Sequence, residues 1–367
     1  MIKVLHVVSA VGGGGIERML LNYYKYMDRN EVSFDIVAHK ENSKLLENDF
    51  VSLGANVFYI TAQRTSIRKN RKELRELLQN NKYDVIHFHH GFTSLGIGVA
   101  RKYAPEAKLI VHSHNARKEK GIRKIIKFFL SKYVIKKADY YCACGVEAGE
   151  SLFGKNLVKK GMVNIVNNAI ETEKFDFSEN FRQTIRSLYN IKDDDFVIGM
   201  VGRMTPQKNP IFILRLIAEI KKTIPNVKLL WVGDGELRER VENKIKEHKI
   251  ENEVILAGQQ KNANEFYNAF DLFILPSLYE GFPVVAIECQ RNGCPVLLSN
   301  NVPKEAVIAK NCKRLPLDIN VWTKEIEKTQ KNHNRQNNSE IIKENGYDIK
   351  AEAHKLTEYY KKIVSVR

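Results

Sequence analysis

No window of this chain holds the roughly eighteen uncharged apolar residues that a membrane-spanning helix requires, so the chain is not expected to cross a bilayer. Cysteine is scarce: five residues, an odd number, with no CxxC spacing. Neither a zinc centre nor a disulfide framework is expected, and a reducing cytosol fits. Secretory targeting is not expected either. The N-terminus is apolar for only about ten residues and then meets Gly12 to Gly15, followed by Glu17 and Arg18, a first strand and its turn. The four glycines lack the GxGxxG dinucleotide spacing. There is no internal repeat, and no nucleic-acid recognition module or stacking platform accompanies the basic charge, so nucleic acid is not an expected partner.

What is present describes a globular protein. The 367 residues are 43% hydrophobic and 28% charged, a composition for two domains. Residues 1–175 hold 29 Lys/Arg against 17 Asp/Glu, a net of +12, whereas 176–367 hold 30 against 26, a net of +4. The excess peaks in Arg117 to Lys137, with nine basic residues and one Glu. Such a patch attracts an anionic surface.

Short β-branched runs alternate with helical patterns in both halves. The first half gives Val4–Val8, Phe34–Ala38, Val57–Ile60, Val85–Phe88, Leu109–Val111 and Tyr140–Ala143. The second gives Phe196–Val201, Val227–Val232, Val254–Ala257, Leu272–Leu275 and Pro295–Leu298. The alternation predicts an α/β fold of two Rossmann-like parallel-sheet domains, 1–175 and 176–349, with ligands beyond the strands' carboxyl ends, in a central cleft. Leu356, Tyr359, Tyr360 and Ile363 recur at helical spacing, so a last amphipathic helix, 350–363, is expected to complete the first domain.

Chemistry-bearing residues gather at the predicted strand ends. After Leu272–Leu275 the chain reads Pro-Ser-Leu-Tyr-Glu-Gly-Phe-Pro-Val-Val-Ala-Ile-Glu from Pro276 to Glu288. This places Glu280 on a turn beside Gly281 and Phe282, with Glu288 in an apolar helix that Pro283 can open. A carboxylate among Val, Ala and Ile is expensive to bury without a partner, and a ligand's hydroxyls would serve. After Phe196–Val201 comes Gly202-Arg203-Met204-Thr205-Pro206-Gln207-Lys208-Asn209-Pro210. Asn209 can cap the next helix, and Arg203 and Lys208 then flank a helix N-terminus, an anion site. Arg offers a planar fork to phosphate and Lys a point charge.

Together these segments resemble the family 4 retaining glycosyltransferases of the GT-B fold over nearly the whole chain. Arg203 and Lys208 match that family's basic pair, Glu280 and Glu288 its E-x7-E signature, and 258–280 its nucleotide-binding run. Val111-His112-Ser113-His114-Asn115 and Gly13-Gly14-Gly15-Ile16-Glu17-Arg18 look like bacterial capsule and exopolysaccharide transferases. The resemblance implies that Arg203 and Lys208 stabilise the leaving diphosphate, Glu280 contacts the donor sugar, and Glu288 holds the ribose hydroxyls. Gly14, Gly15, Gly202, Gly233, Gly258, Gly281 and Phe282 then line the donor site. A histidine near the end of Leu109–Val111 faces the reacting centre in that family; alternation puts His112 and His114 on one face, and His114, nearer the strand end, is the preferred candidate. His87, His89 and His90 form a similar cluster without the carboxylates of a mixed metal site.

Three features depart from that pattern: Ala169 where Gly is frequent, Cys144 for Ser, and Cys289-Gln290 for Ala-Met. None removes a presumed catalytic group. Asp193-Asp194-Asp195 matches DxD formally but precedes its strand, at the wrong end of the sheet. The expected enzyme is therefore a cytoplasmic, metal-independent retaining hexosyltransferase without a cofactor. Its donor is a nucleotide diphosphate-sugar, UDP-sugar first, and its acceptor a lipid-linked glycan. A sugar-nucleotide epimerase of the same architecture and a non-catalytic nucleotide-sugar-binding regulator are the alternatives. In 117–137, Ile122, Ile125, Ile126, Phe129, Tyr133 and Val134 share one helical face. That stripe either faces the core or, with Arg123, Lys124 and Lys127, lies peripherally on an anionic membrane.

Overall fold

The structure, a computed structural model, describes residues 1–40, 42–89, 93–115, 121–332 and 334–366, without the side chain of Arg123. His90, Arg117 to Lys120 and the Arg123 side chain, all named above, lie outside the described residues. The chain divides into two compact units, Met1–Ile170 with Asp348–Arg367, and Glu171–Tyr347.

The first unit is built on seven parallel strands: β1 (Ile2–Val7), β2 (Val32–His39), β3 (Asn56–Ile60), β4 (Val85–His89), β5 (Lys108–Ser113), β6 (Tyr140–Ala143) and β7 (Val163–Ile165). Their order is β3-β2-β1-β4-β5-β6-β7. The second unit has six: β8 (Phe196–Val201), β9 (Val227–Val232), β10 (Val254–Gly258), β11 (Leu272–Leu275), β12 (Val296–Ser299) and β13 (Cys312–Leu315). These run β10-β9-β8-β11-β12-β13, again all parallel. Central strands β8, β11 and β12 are buried at every position, which is why they read as unbroken apolar runs rather than alternating ones. Gly199 interrupts β8 because a Cβ there would strike the Phe270 ring. The edge strand β13 was not expected: Lys313 and Arg314 mask it in sequence, and charge is what edges carry to prevent further pairing.

The final helix, Ile349–Ser365, starts where the Asp348 carboxylate accepts from the Ala351 amide at 3.1 Å. Its Ala353, Leu356, Tyr360 and Ile363 share a core cluster with Met19, Leu20, Tyr23 and Tyr24 of the helix Gly15–Tyr26. Each such large side chain removed from water contributes about 1.5–3 kcal/mol, so the helix is firmly part of the first unit. No helix among the described residues is long and apolar enough to cross a membrane.

Strand order reverses between β1 and β4 in one sheet and between β8 and β11 in the other. Loops leaving neighbouring strands diverge at such a point, which opens a crevice at their carboxyl ends.

Candidate active site

In the second unit, the loops after β8 and β11 meet at this reversal. Gly202 ends β8 with φ +153°. Gly233 follows β9 with φ +138°, and a Cβ on it would collide with the Gly202 carbonyl. One on Gly235 would lie 2.6 Å from the Met204 carbonyl oxygen. Glycine is needed because backbone packs directly on backbone. Trp231 Nε1 donates to the Gly202 carbonyl at 2.9 Å, fixing the turn that carries Arg203. Gly258, at φ +68°, accepts from the Gly233 amide at 2.8 Å. The two glycines thus belong to the same strand-end packing.

A short 3-10 turn, Pro206–Lys208, then aims Lys208 across to the β11 loop. Lys208 Nζ lies 2.7 Å from Glu280 Oε1, and Gln207 Nε2 donates to Glu280 Oε2 at 2.9 Å. Both carboxylate oxygens are engaged, and Glu280 is only 7% exposed. The Leu278 amide donates to the Gln207 carbonyl at 2.8 Å, so backbone and side chains tie the two loops together. Arg203, by contrast, is exposed and has no ion-pair partner among the described residues. Asn209 does not cap the following helix, Pro210–Ile220: at φ 57°, ψ 52° its amide turns away and donates to the Pro276 carbonyl at 3.2 Å. It serves as a strut between the loops.

Glu288 sits half-buried in the helix Val284–Arg291, and Tyr267 Oη donates to its Oε2 at 2.5 Å. The carboxylate therefore has a protein partner beyond any ligand. Burial, then this neighbouring charge, pushes the Tyr267 hydroxyl well above its usual range, so it stays a donor. Pro283 immediately precedes the helix, and the Phe282 ring stacks on Tyr347 at 5.3 Å. Asp271 plays a different part from its neighbours in the motif. It receives Arg182 Nη2 at 2.7 Å, Arg186 Nη2 at 2.6 Å and the Val197 amide at 2.8 Å, at the amino end of the sheet. Asp195 lies at that same end, where it accepts from the Lys192 amide.

In the first unit, Gly14 and Gly15 open the helix Gly15–Tyr26, whose Glu17 is buried. A Cβ on Gly14 would strike that carboxylate, and desolvation pushes Glu17 above the usual carboxylate range. The strand ends here are lined with histidine. Register sets His6 of β1 beside His87 of β4, and His89 beside His112 of β5. His112 is fully buried with neither ring nitrogen bonded, whereas His114, just past β5, is half-buried. His112 therefore packs beneath His114 and does not reach the crevice. His87 Nδ1 lies 2.9 Å from the Tyr360 hydroxyl of the last helix.

Sequence reading passed over Gln207 and Tyr267, the partners of the two glutamates. It also passed over Arg68, Arg71, Lys72 and Arg75, which share one face of the helix Ile67–Asn80. With Lys102, Tyr103 and Tyr133 they line a cavity of about 540 Å³. Their i, i+3, i+4, i+7 spacing was the available signal. In the helix Ile122–Lys137 the expected stripe splits: Val134 is buried, but Ile122, Ile125, Ile126 and Phe129 are exposed, as is Phe128.

Comparison with known proteins agrees with this layout. The family model described as "Glycosyltransferase Family 4" matches residues 13–174, and "Glycosyl transferases group 1" matches 181–348. The putative glycosyltransferase EpsF of Bacillus subtilis is 28% identical over 371 residues, covering 98% of this chain and 96% of that protein. The UDP-Gal:alpha-D-GlcNAc-diphosphoundecaprenol alpha-1,3-galactosyltransferase of Escherichia coli is 26% identical over 310 residues, covering 82% and 79%. Among solved structures, HepE of Anabaena in complex with UDP aligns with TM-score 0.79 at 17% identity, covering 99% of this chain and 100% of that one. That last likeness speaks for the fold. The two matched regions span nearly all of this sequence, and the chain belongs to the GT-B glycosyltransferases.

Proposed function

We propose that this glycosyltransferase moves a hexose from a UDP-sugar to a hydroxyl of a lipid-linked glycan, with retention, in capsule or exopolysaccharide synthesis. The observation that carries the reading is the Lys208–Glu280–Gln207 network beside exposed Arg203, at the crevice where β8 and β11 diverge. The donor's diphosphate is met there by Arg203 and Lys208, which stabilise charge as the anomeric C–O bond breaks with its electron pair on the leaving oxygen. The acceptor oxygen forms the new bond, and its proton leaves with the diphosphate. Glu280 contacts the sugar, the Gly281 and Phe282 amides adjoin it, and Glu288 holds the ribose hydroxyls; Gly202, Gly233 and Gly258 let the backbone approach. Gly14, Gly15 and His114 serve the reaction from the first unit. No metal is required, because side-chain cations supply the charge. The Escherichia coli relative, named for a diphosphoundecaprenol-linked GlcNAc, supports the acceptor class.

The enzyme acts in the cytoplasm, peripherally at an anionic membrane. Support comes from the exposed Ile122, Ile125, Ile126, Phe128 and Phe129, flanked by lysines, and from the basic face of the helix Ile67–Asn80. The test is transfer from UDP-hexose with and without an undecaprenyl-diphosphate-linked acceptor, in EDTA, with the anomeric configuration read by NMR. Acceptor-dependent, EDTA-resistant transfer that keeps the α-configuration is expected. Acceptor-independent conversion of the donor would point to an epimerase, no turnover to a binding protein, and strict metal dependence would remove the clamp assignment.

A further inference from the structure

Five of the ten histidines gather at one face of the first sheet, four on three adjacent strands and His114 just past β5. His6, His87, His89 and His112 are at most 1% exposed. Three of the rings join end to end. His6 Nδ1 lies 2.8 Å from His89 Nε2, and His89 Nδ1 lies 2.9 Å from His114 Nε2. Each contact needs one N–H and one lone pair, and a neutral imidazole has one of each. Burial keeps the inner rings neutral: His6 is held down to about 3, and His89 is driven well below the usual histidine range.

Such a chain can run in only two directions. If His114 donates inward, the last N–H falls on His6 Nε2, which is buried without a partner. If His6 donates outward, His6 Nε2 keeps only a lone pair. An orphaned buried N–H is the rarer and costlier of the two, so the outward direction holds. We propose that His6 and His89 are positioning residues for His114: through this chain they fix its ring and its tautomer, leaving the proton on Nδ1. A group that meets this nitrogen meets an N–H donor, not a base. The role in substrate contact rests on the proposed function; the tautomer does not.

A metal centre is the competing use of these rings. The nitrogens of His6, His87 and His89, and those of His89, His112 and His114, lie within 4.8 Å of one another. The rings are stacked or tilted by only 18–37°, with His112 and His114 centroids 3.9 Å apart. Ring lone pairs lie in the ring planes, so stacked imidazoles do not aim at a common point. His89 moreover has both nitrogens committed.

The test is NMR of the full chain carrying ¹⁵N-histidine near neutral pH, with the His114 signals assigned by their loss in His114→Ala. The wild type should show the neutral Nδ1–H tautomer at His114. His89→Leu removes the donor to His114 Nε2; it should return His114 to the Nε2–H form that free side chains prefer and lower kcat roughly tenfold, with donor KM little changed. His89→Asn, whose amide can replace Nδ1, should restore both. An Nε2–H or doubly protonated His114 in the wild type overturns the proposal without need of any variant. So does about one equivalent of zinc, nickel or copper in the purified protein that His89→Leu abolishes. If the tautomer is as stated but His114→Ala transfers normally, the chain stands and the catalytic reading of His114 falls.

Discussion

Lys208→Ala and Arg203→Ala remove one positive charge each from the same loop, yet they should differ sharply in stability. Lys208 is 15% exposed and Glu280 7%, so the pair is largely shielded from water. Deleting one member of such a pair strands the other, at 3–5 kcal/mol for a fully buried case. Gln207 still holds Glu280 Oε2 at 2.9 Å, which places Lys208→Ala near the low end, about 3 kcal/mol. For a unit the size of Glu171–Tyr347, that corresponds to a melting point lower by about 6–12 °C. Arg203 is exposed and should shift stability by no more than about 0.5 kcal/mol. Transfer should nevertheless fall by roughly 10²-fold or more in both, because the proposed diphosphate clamp uses both. Combining Lys208→Ala with Glu280→Gln should recover most of the stability and none of the rate, since the stranded charge is gone but the clamp is not rebuilt.

The assays are denaturant unfolding followed by a probe in the second unit, and initial rates with saturating acceptor. An unchanged midpoint for Lys208→Ala would show that the ion pair is not made in solution. Equal destabilisation by the two variants would show that the exposure difference does not govern the cost. Transfer near the wild-type rate in either would remove that residue from the clamp, whatever its effect on folding.

Acid should destabilise the first unit. His6, His87, His89 and His112 have folded pKa values held below the unfolded value of about 6.5, so the unfolded chain binds more protons below that pH. Stability is complete above about pH 6.5 and is lost as pH falls toward the folded pKa values, at up to about 1.4 kcal/mol per unit for each histidine. A flat urea midpoint from pH 7.5 to 5 would contradict this. Tyr267→Phe leaves Glu288 Oε2 without its hydroxyl donor and should cost about 1–3 kcal/mol, while Glu288→Gln should weaken bare UDP binding in calorimetry and Glu280→Gln should not. The reverse pattern would exchange the two roles. Lys124→Gln with Lys127→Gln should weaken binding to anionic vesicles by about 2 kcal/mol, and Phe128→Ser with Phe129→Ser should weaken it further, with transfer to a short soluble acceptor intact. Indifference of the wild type to anionic vesicles at low salt would end the membrane reading.

Charge and periodicity carried far in this sequence because the groups that matter most are costly to misplace. Glu288 in an apolar helix and Lys208 after a buried strand stand out on any reading. Gln207 and Tyr267 do not, since a neutral amide or phenol is unremarkable until its partner is known. Asn209 before Pro210 reads as a cap, and only its left-handed backbone shows that it braces the Pro276 loop. The helix Ile122–Lys137 illustrates a different limit. A period of 3.6 reveals that a stripe exists but not whether anything covers it, so Ile122 and Val134 share one pattern and meet opposite surroundings. The domain boundary expected between 175 and 176 lies just beyond the division at Ile170, where the Ile349 amide bonds the Ile170 carbonyl and returns the chain to the first unit.

The histidines show why register matters as much as composition. His6, His87, His89, His112 and His114 are scattered over more than a hundred positions, and only the pairing of β1 with β4 and β4 with β5 brings them together. Apart from Ser113, the positions next to these histidines on the strands are Leu5, Val7, Ile86, Phe88 and Val111, and such residues would fill the histidine positions without a single unmet polar atom. Four buried ring nitrogens, on His6, His87 and His112, have no hydrogen-bond partner among the described residues. Each unmet buried group costs about 1–3 kcal/mol, a large share of the 5–15 kcal/mol by which a folded domain is stable. A core chosen for stability alone would not retain them. The histidines lie toward the strand ends that open on the crevice, while the other ends of β1, β4 and β5 carry apolar residues with Lys3 and Lys108 at the rim. Such a local breach of core chemistry, at the strand ends where the fold opens a crevice, agrees with the positioning role proposed for these rings.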